Sequence, residues 1–324
     1  MKTSTLRLHR FLLAILLLSA VFPLLGQALQ APALDSLQPL YLDGVSPVVL
    51  QKDQVEISFV NSLTSFWLAS REAAPDLAPS TTINRYRFTN FDQLLRISYG
   101  FGYGGRWDLG AVLLYRHRRL DDQANSSPFR VFQGDEEPSF SQTNRGLALA
   151  GARLRVVPFA ALPELTLQTS VAFPVAKEAT LRRDLGADRT QADLFATFYK
   201  PFNPRTYYFL QAGWLTQFSN QENDLATHQV SGGGYLVQSL FDYKVYLYPG
   251  LTYAASLQGL QSGNGLRRIN QQLLGGIGVQ YQPWRVLSFS LYGQIPFILD
   301  SGSSITEWVR ESYASWTLGI RAIF

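Results

Sequence analysis

The chain of 324 residues contains no cysteine, which excludes disulfides, thiol nucleophiles, zinc–thiolate centres and a lipidated cysteine anchor. Lysine is nearly as scarce: beyond residue 28 only Lys52, Lys177, Lys200 and Lys244 remain. No apolar run beyond residue 28 is long enough to cross a bilayer as a helix, which takes about 20 residues. The formal charge is +4, from 28 basic against 24 acidic residues, and no basic run concentrates it. Nucleic acid is therefore not an expected partner.

What is present is apolar surface, with 46% hydrophobic and 13% aromatic residues. Part of it is N-terminal, where Lys2, Arg7 and Arg10 precede an apolar run from Phe11 to Leu25, followed by Gly26-Gln27-Ala28. A basic start, a short greasy centre and small residues at the cleavage positions make residues 1–28 an expected secretory signal peptide. Residues 29–54 are expected to be a periplasmic N-terminal segment. Its stretch 29–50 has turn residues and apolar side chains but no helical period, and it either plugs the mouth of the following domain or trails as a mobile tail.

The stretch YGFGYGGRWDLGAV (99–112) carries Gly100-x-Gly102-x-x-Gly105, the spacing of a dinucleotide-binding loop. That motif works only where a helix follows, because the first-turn N–H groups hold the phosphates. Here Trp107, Leu109, Ala111, Leu113 and Tyr115 alternate with Asp108, Gly110, Val112, Leu114 and Arg116. Period two means a strand, so the glycines read as a turn.

The same period recurs in about twelve segments, beginning with VEISFVNSL (55–63) and ending with YASWTLGIRAIF (313–324). The register is least regular around 229–243. Connections alternate between short ones, such as GYGGR, PFAALPE, PFNPR and QPWR, and longer polar ones, such as 121–146 and 176–188. Outer-membrane barrels have short periplasmic turns and long external loops. A soluble sheet would carry Lys and Glu on its outward row; here one row holds Gly, Ser, Thr, Gln and Arg, and the other holds Val, Leu, Ile and Phe. Tyr99, Trp107, Tyr115, Tyr281 and Trp284 sit near segment ends, as in an interfacial aromatic girdle. The expected fold is all-β: residues 55–324 as a transmembrane antiparallel up-and-down β-barrel of about 12 strands, closed because hydrocarbon leaves no partner for edge amides.

The last segment places Trp316, Leu318, Ile320, Ala322 and Phe324 on one face and ends on an aromatic. This resembles the insertion signal of Gram-negative outer-membrane barrels, with Phe324 as its terminal residue. The resemblance implies export to the cell outer membrane, with outer-membrane lipid and the barrel-assembly machinery as partners. A narrower resemblance lies in LRISYGFGYGGRWDLGAVLLY (95–115), which is similar to a strand-turn-strand unit of the transporter family associated with phenol-degradation pathways. GYGG here stands in place of that family's usual polar pair.

Parity points Asp92, Arg96, Asp108, Arg116, Arg153, Arg155 and Glu164 into the lumen as a mixed-charge ladder. Asp92 and Arg116 should lie higher than the others. Such a ladder either selects solutes by charge at a constriction or serves as a structural network in which charges away from water find partners. Glu56 and Arg321 face inward at the closing seam and are expected to pair. Leu94, Val112, Leu114, Phe195, Phe209 and Leu274 interrupt the polar row, implying a narrow or partly packed interior.

No catalytic constellation stands out. His228 and Ser231 in THQVSGGG are superficially like the pair of an outer-membrane phospholipase, but their three-residue offset puts them on opposite faces of a strand. His117 stands among Arg116, Arg118 and Arg119, so no metal site or cofactor is expected. The acidic pairs Asp121-Asp122 and Glu136-Glu137 read as solvated loop charges. The function expected is a passive channel for a small solute rather than an enzyme. The alternatives are a non-transporting structural or secretion-accessory barrel and, third, a lipid-modifying enzyme; one barrel architecture hosts all three.

Overall fold

The computed structural model describes residues 49–71, 83–101, 106–122, 127–132, 141–203, 205–219, 225–259, 266–284, 286–300 and 313–324. The expected signal peptide, most of the 29–54 segment, Gly102 to Gly105 and the pair Glu136-Glu137 lie outside them. The strands are β1 Val55–Arg71, β2 Ile83–Phe101, β3 Trp107–Asp121, β4 Ser141–Val156, β5 Leu165–Pro174, β6 Gln191–Asn203, β7 Thr206–Gln217, β8 Thr227–Leu240, β9 Val245–Gly259, β10 Leu266–Trp284, β11 Leu287–Asp300 and β12 Ala314–Ile323. Each pairs with its sequence neighbours, and β1 pairs with β12, closing the sheet. Every pairing is antiparallel, and ten to nineteen residues per strand are enough to span a hydrocarbon core when tilted.

The outward row is hydrophobic around the circumference. Leu109, Leu154, Leu194, Leu210, Leu236, Leu251, Ile277, Leu291 and Leu318 are all exposed. Aromatic side chains stand exposed toward the short-turn end at Trp107, Phe202, Phe241, Tyr281, Trp284 and Phe324. They recur toward the opposite end at Trp214, Phe297 and Trp316. A surface of this kind is suited to hydrocarbon, with amphipathic rings at its two boundaries. All four lysines beyond residue 28 are exposed, in connections or near a strand end.

One part of the outer wall departs from this pattern. Ser65, Thr89, Arg119 and Asp121 have outward parity yet are buried, with Ser65 Oγ 3.1 Å from Thr89 Oγ1 and Arg119 Nε 3.1 Å from Asp121 Oδ2. The 3-10 turn Pro128–Phe132 packs on β1, β2 and β3 there, and Phe132 meets Phe91 edge-on at 4.7 Å between ring centroids. Asp121 is thus a paired, covered charge at the end of β3, not the solvated loop residue its sequence context implies.

Glycines give the barrel room for large rings. Gly250, Gly278 and Gly213 lie directly across the ladder from Tyr235, Tyr248 and Phe195. A Cβ at Gly278 would stand 2.1 Å from the Tyr248 ring, whereas one at Gly232 meets nothing nearer than 3.8 Å. Gly278→Ala should therefore lower the urea midpoint of unfolding in detergent, by a loss of about 1–3 kcal/mol as for other overpacking changes. Gly232→Ala serves as the comparison, and equal midpoints would mean that the tyrosine ring yields at no cost.

Candidate functional site

Charged side chains crowd the inner wall of β1 to β4 and β12. Glu56 is 3% exposed and receives three guanidinium groups: Arg321 at 2.8 Å, Arg153 at 3.3 Å and Arg155 at 3.3 Å. The expected seam pair of Glu56 and Arg321 is therefore part of a larger cluster. Arg155 lies directly across from Asp108 and bonds it through Nε at 2.9–3.0 Å. Arg153 reaches Glu56 from three strands away because the inward positions between them, Gly110 and Ser98, are small. Its Nη2 rests on Ser98 Oγ at 2.7 Å on the way.

The N-terminal segment touches this cluster. Leu50 is 1% exposed, its N–H donates to Asp108 Oδ2 at 3.2 Å, and Asp53 and Gln54 bond the backbone of Gly100. Gly100 is required at this close approach, since a Cβ would fall 2.0 Å from the Gln51 carbonyl oxygen. The last residues before β1 are therefore folded against the short-turn end of the barrel.

A second cluster lies higher. Arg116 grips its cross-strand neighbour Asp92 bidentately, with Nε and Nη2 at 2.6 and 2.9 Å from the two carboxylate oxygens. Its Nη1 donates to the Leu185 carbonyl at 2.8 Å, and Arg118 donates to the Asp184 carbonyl at 2.9 Å. Both carbonyls belong to the connection between β5 and β6, which turns into the lumen. A short helix, α1 (Ala179–Asp184), ends there in a Schellman turn: Ala187 N–H bonds the Arg182 carbonyl, Gly186 N–H bonds that of Arg183, and Gly186 has φ +59°. Leu185, fully buried, then packs with Val60, Leu94, Leu114, Ala148 and Leu149.

This apolar layer accounts for Leu94 and Leu114 interrupting the polar row, and it divides the ladder into two clusters. Arg96 lies between them, on the wall of a cavity of about 110 Å³. Glu164 falls in the turn before β5, half-buried, and among the described residues no ion pair joins it to the other charges. The cavity continues across the barrel to Phe195, Asp193 and the glutamines Gln168, Gln191, Gln211 and Gln229.

The inner wall of β6 to β11 carries a different chemistry, a belt of Tyr199, Tyr207, Phe209, Tyr235, Tyr246, Tyr248 and Tyr292. Tyr248 stacks on Tyr292 at 5.7 Å, and Tyr235 meets Tyr292 edge-on at 6.1 Å. Sequence reasoning placed Phe209 of this belt in the inward row but missed its tyrosines, having looked for tyrosine at the interface girdles. Parity alone separates inward Tyr235 from exposed Leu236, so the signal was there. The inward turn at Leu185 also went unread, although Leu181 and Leu185 four apart followed by Gly186 mark a capped helical turn.

Ser231 faces inward and is buried, whereas His228 packs on Trp214 at 5.5 Å between rings and lies 3.1 Å from Thr216 Oγ1. The two side chains stand on opposite faces of β8. Among the described residues no group of three or more His, Asp or Glu side chains could hold a metal ion.

No protein-family model and no curated protein matches the chain in sequence. Solved structures do match in shape. An outer-membrane channel from Pseudomonas putida F1 is 15% identical with a TM-score of 0.55, over 87% of this chain and 100% of that one. The β domain of the Bordetella autotransporter BrkA is 12% identical with a TM-score of 0.50, over 83% of this chain and 100% of that one. At such identities the likeness establishes the architecture, a closed twelve-strand antiparallel barrel.

Proposed function

We propose that the protein is an outer-membrane channel through which small solutes diffuse along a narrow, charged lumen. One observation carries this reading: a closed barrel with a hydrocarbon-like exterior encloses arginines, carboxylates and amides around a hydrated-size cavity. Charges are costly in an interior, and a polar lumen is what a solute pathway requires. The likeness to an outer-membrane channel from Pseudomonas putida F1 supports the same reading. Export by the N-terminal signal and assembly through Phe324, which is exposed beyond the end of β12, belong to it. A finer assignment to the transporter family associated with phenol-degradation pathways rests on the 95–115 stretch.

The test is reconstitution of the mature chain into planar bilayers. Discrete conductance steps are expected, and a record indistinguishable from bare lipid, for the intact chain and for a variant lacking residues 178–188, would overturn the channel reading. That outcome favours a second reading, a non-transporting barrel, which the ion-pair lattice and the apolar layer around Leu185 also suit.

A further inference from the structure

The lumen cavity is not electrically neutral. Arg96, Arg153, Arg155 and Arg321 line it, against the carboxylates of Glu56 and Asp193. Adding Asp108, which is bonded to Arg155 behind the lining, still leaves one positive charge in excess. Glu56 is engaged by three arginines, and Asp193 accepts from the hydroxyl of Ser170 through Oδ2 while its Oδ1 has no hydrogen-bond partner among the described residues. Glu56 and Asp108 hold the guanidinium groups of Arg153, Arg155 and Arg321 in place, which lowers the ordering cost for an incoming anion.

We propose that this cavity binds a small anion of carboxylate-like chemistry, and that the channel therefore prefers anions to cations. The binding stands on the cavity alone; the preference rests on the channel reading above. Each guanidinium offers five N–H donors and no acceptor, and Nε of Arg153, a residue 3% exposed, has no hydrogen-bond partner among the described residues. On the opposite wall the side-chain amides of Gln211 and Gln229 can turn an N–H toward the same space, and the fork geometry of arginine matches a two-oxygen anion. A volume of about 110 Å³ has room for several waters or a small anion.

Two experiments separate the site from the pathway. Crystals of the mature protein are soaked in sodium bromide or in rubidium chloride, and the anomalous signal is located. Bromide between Arg153 and Gln211 is the expected result; its absence, or rubidium in its place, overturns the proposal whatever the conductance. Reversal potentials are then measured across a bilayer under a potassium chloride gradient. A chloride-favouring potential is expected, reduced roughly threefold or more in permeability ratio by Gln229→Glu and increased by Gln229→Lys, because one charge acts at close range in a low-dielectric lumen. Gln229 takes no part in the ion-pair cluster, so both variants should fold. A potassium-favouring current overturns the proposal. If the bilayer shows no current while bromide occupies the cavity, the anion site stands and the channel reading falls.

Discussion

Removing residues 178–188 will raise single-channel conductance several-fold and abolish any closed periods the intact chain shows. The excised segment contains α1 and the Schellman turn that delivers Leu185 into the apolar layer with Val60, Leu94, Leu114 and Leu149. An apolar constriction resists ion passage by dewetting more than its width alone implies. Lifting Leu185 out both widens the lumen and lets water bridge the upper and lower charged clusters. What remains between β5 and β6 is long enough for a tight connection, so the strand pairing need not change.

A subtler variant should act in the same direction. Gly186→Val places a β-branched residue at φ +59° and drives a Cβ to 2.7 Å from the Arg118 guanidinium. The turn should unseat, taking Leu185 with it. Unchanged conductance in both variants, with the barrel folded as judged by heat-modifiable migration, would show that the loop does not occlude the pathway.

The sequence made the wall of this molecule readable and left its contents unread. Alternation was legible because an apolar exterior and a polar interior impose a period of two on the strands from Val55 to Ile323, broken only locally at bulges such as the one beside Leu114 and Tyr115. The inward parity of Asp92, Asp108, Arg116, Arg153 and Arg155 followed from the same constraint. The partners were harder to infer where they are not ladder neighbours. Asp92 with Arg116 and Asp108 with Arg155 are direct cross-strand pairs, but Arg153 finds Glu56 only because Gly110 and Ser98 leave its path clear. That depends on the register of four consecutive strands, which no periodicity in one strand encodes. Loops are freer still. The connection before β6 bends inward through tertiary contacts, with Arg116 and Arg118 bonding its carbonyls, and the Pro128–Phe132 turn folds over the outer wall and buries Arg119 and Asp121.

Glu56→Gln will destabilise the barrel by about 3–5 kcal/mol, the range for removing one partner from a buried ion pair. Arg153 and Arg155 are each 3% exposed in their side chains, and Glu56 is the carboxylate they share. With its charge gone, two guanidinium groups crowd one lumen wall with Asp108 as the remaining close anion. Arg321 is 23% exposed in its side chain, so Arg321→Gln should cost only about 1 kcal/mol, near the value of an exposed pair. The double variant Glu56→Gln/Arg153→Gln should be more stable than Glu56→Gln alone, because the second change withdraws a cation left without its anion. Urea unfolding in detergent, followed by tryptophan fluorescence, measures all three. If Glu56→Gln unfolds at the midpoint of the parent protein, the cluster is not an electrostatic keystone, and the arginines must be neutralised by water or bound anions in the lumen instead.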